Sequence, residues 1–381
     1  MGTKEVTKVK TALVIGGGFG GCAAAHQLEM LGGWRTILVE SAPFLGGGCK
    51  TFYQGGHPYT FGPRHFLTEM VHTYEYLNKY VPMRRCNEHL FWTYVEQDQQ
   101  FYHYPIHMDD IRSMPDAAKV LAEMDAAPGA AGSRNLKEYW VNSVGQTLFD
   151  KFINDYNKKM WMVDDPCAID YNIQNWSPKG PNIATGPKEV FHDCISCYPH
   201  ARNGYDDFFD IATSGADTTV MLNTRIEKYD IPNKTVVING ETMTFDVIIS
   251  TIPADTLFDN AYGELRFIGR DFFPIILPAE EVFPKNVFFC YYANAQPVTR
   301  VVEYKKLTLH QAPTTLIGIE IPSLRNRLYP VPIESEVAKA RKYLDAMPDG
   351  VFSIGRNGKY DYVRDIDDVL DDAMQVAKLL K

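Results

Sequence analysis

Residues 11–21 constrain the fold of this chain more than any other stretch. The apolar run Ala12-Leu13-Val14-Ile15 leads directly into Gly16, Gly17, Gly18, Phe19, Gly20 and Gly21, the pattern of a buried strand, a tight turn and a helix start. The spacing Gly16-x-Gly18-x-x-Gly21 allows a turn without Cβ clashes, a place for backbone to approach a pyrophosphate, and close helix-to-strand contact. The phosphates would rest on the free N–H groups of the helix start. Glycine-rich turns are common, so the second half of the unit matters. Ile37-Leu38-Val39 reads as another apolar strand and ends at Glu40, about 20 residues past the motif, where a carboxylate meets ribose hydroxyls in a dinucleotide-binding βαβ unit.

A second glycine cluster, Gly46-Gly47-Gly48, follows with no linker between. A nicotinamide cofactor is served mostly by the first βαβ unit, whereas FAD lies extended and needs further backbone near its pyrophosphate and flavin, so the second cluster favours FAD. With 381 residues, 45% of them hydrophobic, the chain is expected to hold two or three packed units. A net charge of −9 argues against a nucleic-acid partner, which needs a basic face, but leaves room for an anionic ligand held by a few clustered arginines. Seven scattered cysteines do not form a disulfide framework and suit a reducing cytoplasm. The polar first ten residues carry no apolar signal segment, and no apolar run is long enough to span a bilayer. Val6 breaks the myristoylation pattern at Gly2.

Along the chain, a helix is expected over 19–30, stopped by Gly32-Gly33, another over 66–80, and strands over 90–95 and 100–104. Residues 126–133 read as a surface loop. Leu148, Phe149, Phe152, Ile153 and Tyr156 have the spacing of an amphipathic helix. Five prolines between 163 and 203 point to a long loop or lid. Strand signals return at 219–222, 235–238 and, fully apolar, at 247–251, which brings the chain back to its first sheet. Strands over 287–292, 299–302 and 315–320 suggest a separate, more antiparallel sheet. Helices are expected over 334–346 and 364–380, with a short strand at 351–353. Cys194-Ile195-Ser196-Cys197 has too few ligands for a zinc site and reads as structural; no metal is expected.

Tyr156-Asn157-Lys158-Lys159-Met160-Trp161, Thr299-Arg300-Val301-Val302-Glu303, Tyr329-Pro330-Val331 and Gly355-Arg356-x-Gly358-x-Tyr360-x-Tyr362, following the N-terminal glycine motif in that order, resemble the UDP-galactopyranose mutase family over residues 11–380. The resemblance implies an α/β fold: a Rossmann-like FAD-binding domain (1–80 with 204–262 and 345–381), a helical substrate domain with a lid (106–203) and a mainly antiparallel sheet domain (81–105 with 263–344). It implies an isomerase that interconverts UDP-galactopyranose and UDP-galactofuranose, or a related pair, through an adduct between the sugar and N5 of reduced FAD. NAD(P)H or a reductase would supply the electrons. A cytoplasmic enzyme feeding a surface-polysaccharide or secondary-metabolite pathway is expected, with no membrane or nucleic-acid partner; bacterial members of the family are often homodimers.

Residue by residue, the resemblance assigns Arg300 to the diphosphate and the rings of Phe152, Tyr156 and Trp161 to the nucleotide. An aromatic stripe at helical spacing is equally the mark of a core, although Trp161 falls outside the stripe. Tyr329 and Tyr362 would offer hydroxyls to the diphosphate. Gly16, Gly18, Phe19, Gly21, Glu40, Gly47, Gly48, Val220, Gly355, Arg356 and Tyr362 would form the cofactor site. Three positions depart from the family. Where a Gly-x-His segment sets histidine against the flavin, the chain reads Gly62-Pro63-Arg64-His65, so either Arg64 has replaced it or His65 has shifted into its role. Arg364 matches an aspartate that opens the last helix. The mobile lid arginine has no counterpart; Lys179 and Lys188 are candidates and Arg202 a poorer one. The alternative is an amine-oxidase-like FAD oxidoreductase with net substrate oxidation, which shares the N-terminal layout but has no need of a diphosphate clamp.

Overall fold

The computed structural model describes residues 9–177 and 180–381. Its organising sheet is parallel, with strands in the order Thr218–Met221, Trp34–Val39, Lys10–Ile15, Val247–Ser250 and Val351–Ser353. Ala12 and Val14 pack on one face with the helices Phe19–Leu31, Asp206–Ala212 and Ile366–Leu379. Leu13 and Ile15 pack on the other, against a three-stranded antiparallel layer of Ile226–Asp230, Thr235–Ile238 and Glu241–Thr244. The continuous apolar runs therefore have a physical reason, since alternate side chains enter two different cores. Residues Gly20 to Ala25 of the first helix are small and buried, and a Cβ on Gly20 would stand 2.8 Å from Val369 of the last helix. That pairing ties the two ends of the chain together.

The second large sheet has seven strands, ordered Tyr329–Pro330, Phe267–Leu277, Thr315–Ser323, Arg300–Glu303, Val287–Tyr292, Leu90–Val95 and Gln100–Tyr104. Its pairs are antiparallel except Val287–Tyr292 with Leu90–Val95. Phe267–Leu277 is its longest strand and has no clear signature in the sequence. Gly269, Arg270, Asp271 and Pro274 interrupt its apolar pattern, and pairing with Thr315–Ser323 from Gly269 to Leu277 holds it in place.

Several local expectations need correction. The helix expected over 66–80 begins only at Val71, because Phe66–Thr68 is a strand. That strand is needed by Ile195–Pro199, which lies inside the supposed loop and is the middle strand of a three-stranded sheet completed by Met83–Arg85. Cys197 and Tyr198 are buried there, and all seven cysteines are free. The helix expected through 148–156 is two, Gln146–Phe152 and Asn154–Trp161, meeting at Ile153. Backbone bonds continue across the bend, from Ile153 N–H to Phe149 O and from Asn157 N–H to Ile153 O. In the loop at 126–133, Ala130 and Ser133 are buried rather than at the surface, Ala130 against Tyr139 and Ile173. No helix among the described residues is long and apolar enough to cross a membrane.

Candidate active site

The glycine motif builds a cradle at the carboxyl end of the parallel sheet. Gly16 has φ +95°, and a Cβ at Gly21 would lie 1.8 Å from the Gly16 carbonyl oxygen, so helix and turn touch backbone to backbone. A Cβ at Gly18, by contrast, would meet nothing within 4 Å. Glu40 accepts the Gly17 N–H at 2.6 Å and the Ala42 N–H at 2.6 Å through its two oxygens. The second glycine cluster joins the first through Gly46 N–H to Gly17 O at 2.8 Å. Gly18, Gly20, Gly46, Gly48 and Gly355 bound a cavity of about 220 Å³ at the start of the first helix. Open backbone, a helix N-terminus and a carboxylate at the second strand fit a dinucleotide.

A second cavity, of about 390 Å³, shares Arg64, Tyr329, Arg356 and Asp365 with the cradle. Four guanidiniums line it, those of Arg64, Arg270, Arg300 and Arg356, against the carboxylates of Glu320 and Asp365. Arg300 and Glu320 are partners across adjacent strands, and the guanidinium forks onto the carboxylate with two bonds of 2.9 Å. Burial works against the Arg300 charge, and Glu320 with the neighbouring tyrosines more than offsets it, so its pKa lies well above the ordinary value. The ring of Tyr329 sits between Arg270 and Arg356, 4.7 and 5.5 Å from their guanidinium carbons. Arg64, with φ +45°, donates from Nε to the carbonyls of Phe61 at 2.7 Å and Gly48 at 3.2 Å.

Aromatic rings close the remaining walls. Tyr156 meets Tyr291 edge to face at 5.7 Å, and Tyr362, 38% exposed, packs on Tyr329 at 6.0 Å. His65 lines the cavity, and its Nε2 is buried with no partner among the described residues. Burial, with Arg300 nearby, lowers its pKa to about 4 even though Asp365 pulls the other way. It is therefore neutral at pH 7. Asp365 caps the helix Ile366–Leu379 in a reciprocal capping box with Asp368.

The sequence profile of UDP-galactopyranose mutase matches residues 151–362, and that of an NAD(P)-binding Rossmann-like domain matches residues 14–80. The first match covers more than half of the chain. The chain belongs to the UDP-galactopyranose mutase family. Among solved structures it is similar to a reduced UDP-galactopyranose mutase, with a TM-score of 0.80 and 17% identity over 97% of this chain and 95% of that one. It is also similar to an oxidoreductase from Methanosarcina mazei (TM-score 0.60, 16% identity, 97% and 100% covered) and to a CLA-producing fatty acid isomerase from P. acnes (0.57, 14%, 98% and 99%). Likenesses at these identities speak for the fold alone.

Of the residues that the family resemblance singles out, Arg64, His65, Tyr156, Arg300, Tyr329, Arg356 and Tyr362 line the larger cavity. Gly18, Phe19, Gly48, Gly355, Arg356 and Arg364 line the cradle, with Gly16, Gly21 and Glu40 in the turn beneath and Gly47 in the short helical turn Gly47–Cys49. Others lie elsewhere. Phe152 is buried in the helical core, 5.9 Å from Tyr102, so its helical spacing marked packing. Trp161 lines a neighbouring, mainly apolar cavity of about 1330 Å³ that shares Tyr156, Met160, Tyr362 and Val363 with the site cavity, and it meets Tyr362 edge to face at 4.8 Å. Val220 packs in the parallel-sheet core and lines neither cavity. Lys188 pairs with Asp110 at 3.1 Å, Arg202 donates to Gly56 O, and Lys179 is outside the described residues.

Arg364 does not open the last helix; Asp365 does, so the aspartate expected there is present one residue on. Arg364 instead pairs with Asp361 at 3.2 Å and Asp372 at 3.0 Å. Sequence reasoning missed Arg270, Glu320, Phe289 and Tyr291. The last two had a signal, since residues two apart on a strand share a face, and Tyr291 is paired with Arg300.

Proposed function

We propose that the protein is a flavin-dependent nucleotide-sugar mutase interconverting pyranose and furanose forms, with UDP-galactopyranose or a close relative as substrate. The observation that carries this reading is the arginine-lined cavity of about 390 Å³, contiguous with the dinucleotide cradle, in which four guanidiniums face two carboxylates. The excess of two positive charges is matched by the diphosphate of a nucleotide sugar, which carries about two negative charges. When bound in the cradle, reduced FAD would supply the nucleophile that the family's chemistry requires. Arg300, kept charged and oriented by Glu320, neutralises the departing diphosphate. Tyr329 and Tyr362 present hydroxyls from the same wall, and the ring of Tyr156 offers a face for the nucleobase. His65, neutral at pH 7, can accept or return a proton at Nε2. On this reading the enzyme works in the cytoplasm with NAD(P)H or a reductase as electron source, and serves the synthesis of a furanose-containing polysaccharide.

The test is to record the visible spectrum of the purified protein, reduce it with dithionite, incubate it with UDP-galactopyranose and separate the products by chromatography. Conversion by reduced protein and none by oxidised protein supports the reading. A flavin spectrum with net oxidation of a substrate would favour the oxidoreductase alternative, and absence of flavin would defeat both.

A further inference from the structure

Behind His65, which lines the arginine-lined cavity, stands a second histidine, His89. The two ring centroids are 5.0 Å apart and the planes are inclined at 63°. Nε2 of His65 and both ring nitrogens of His89 are buried with no partner among the described residues. A buried polar atom left unpaired loses its hydration and gains nothing in return, and native proteins keep few of them. Packing alone would be served better by an apolar ring at 89. His89 is wholly buried among Phe288, Phe91 and Phe289, with centroids at 3.8, 4.6 and 5.9 Å.

Another pair in the chain shows what this spacing permits. His57 and His310 also have centroids 5.0 Å apart, with planes at 65°, and there Nδ1 of His57 lies 2.8 Å from Nε2 of His310. The His65–His89 pair matches it in separation and tilt and differs in which ring edges meet. A half-turn of His65 about its Cβ–Cγ bond leaves the ring in place and exchanges its edges. Nδ1 then takes the buried edge that Nε2 holds, and Nε2 turns to the edge left for the cavity. The surroundings fix both rings. Val190 N–H donates to the His89 carbonyl at 2.8 Å. Phe191, the next residue, takes a left-handed φ of +65°, a costly conformation for a bulky side chain, and this sets its ring 5.3 Å from His65 and 5.8 Å from His89.

We propose that His89 is a positioning residue that accepts a hydrogen bond from Nδ1–H of His65, holds that ring in one tautomer and so presents Nε2 to the sugar as an unprotonated base. This deepens the nucleotide-sugar reading and rests on it. Closing a new ring needs a proton removed from the attacking hydroxyl. The O–H bond breaks, its electron pair forms the bond to the anomeric carbon, and the proton goes to Nε2 of His65. When a ring opens, the same proton returns to the ring oxygen. The Nδ1–H···N bond to His89 steadies the imidazolium in between. The charged groups acting on His65 are Asp365 and Arg300, whereas His89 feels only His65, so its aromatic surroundings keep it a neutral acceptor.

The experiment combines nitrogen-15 NMR of the oxidised, cofactor-loaded protein labelled at histidine, which reads tautomers and couplings across N–H···N bonds, with kinetics of the reduced protein on UDP-galactopyranose. Wild type is compared with H89F and with H89Q, whose amide oxygen can accept the same bond; melting temperature and cofactor content are the folding controls. The wild-type spectrum is expected to show two such couplings, one from each histidine pair, and H89F to lose one of them and leave His65 as a mixture of tautomers. In H89F kcat should fall about tenfold, a part of the roughly 10²–10⁴-fold that a positioned acid or base contributes, with KM close to wild type, and H89Q should recover most of the loss. Should H89F not fold, the wild-type couplings and H89Q still decide the matter. A wild-type spectrum without a second coupling, or folded H89F with wild-type kcat and an unchanged His65 tautomer, would overturn the proposal and leave the mutase reading standing. A second coupling in a wild type that converts no sugar would keep the histidine pair and defeat both the mutase reading and the proton step.

Discussion

At the scale of single residues, the site depends on positions where chemistry and backbone geometry leave little choice. An alanine at Gly21 would drive its methyl group into the Gly16 carbonyl, and neither backbone can yield without reshaping the cradle. G21A is expected to purify with little or no cofactor, read directly from its visible spectrum. R300A removes the guanidinium that the proposed mechanism sets against the departing diphosphate and should lower kcat by about 10²–10³-fold, as loss of one preorganised charge-stabilising donor does; steady-state kinetics with reduced protein checks this. E320A leaves Arg300 buried without its partner and should cost about 3–5 kcal/mol, visible as a lower melting temperature that added UDP partly restores. Arg300 was legible in the sequence because it sits in a family motif. Its partner was not, because Glu320 becomes adjacent only through strand pairing, and Arg270 was hidden in a strand whose pattern shows no alternation.

At the scale of elements, the first βαβ unit was fully legible, since glycines, apolar runs and a terminal acid all act locally. The strand Ile195–Pro199 was not, because its stability comes from its neighbours on both sides, Phe66–Thr68 and Met83–Arg85, and prolines dominate the surrounding sequence. The bend at Ile153 was equally silent. It leaves Phe152 in the helical core and brings Tyr156 and Met160 to the cavity wall, so one apparent stripe serves two purposes. The start of the last helix makes a prediction of its own. Asp365 caps it and also lines both cavities. D365A should destabilise the fold by about 1 kcal/mol, measured by urea denaturation, and D365N, which keeps the cap, should recover most of that.

At the scale of the whole molecule, five histidines spread over several cores share one electrostatic bias. Burial lowers the pKa of His26, His57, His65, His89 and His310 from the ordinary 6.5, to about 4 for His65 and His310. His57 and His310 share a hydrogen bond of 2.8 Å, which is lost if both become protonated. The unfolded chain therefore binds more protons than the folded one below pH 6.5, so stability falls as pH drops from 6.5 toward 4 and is unaffected by these groups above about 7.5. Melting temperatures across pH 8 to 4 should be flat and then decline, with several protons taken up on unfolding at pH 5.5. A flat profile down to pH 4.5 would contradict the burial of these rings as neutral species.

The packing of the first helix, Phe19–Leu31, against the last, Ile366–Leu379, also sets a timetable. On a ribosome working at about 5–20 residues per second, the first helix waits roughly 15–70 s for the segment that covers it. Until then its glycine-lined face is open, and the cradle lacks the wall contributed by Gly355 and Ile366. Cofactor loading is accordingly a late event in the life of the polypeptide, and nascent chains halted before residue 351 should emerge colourless.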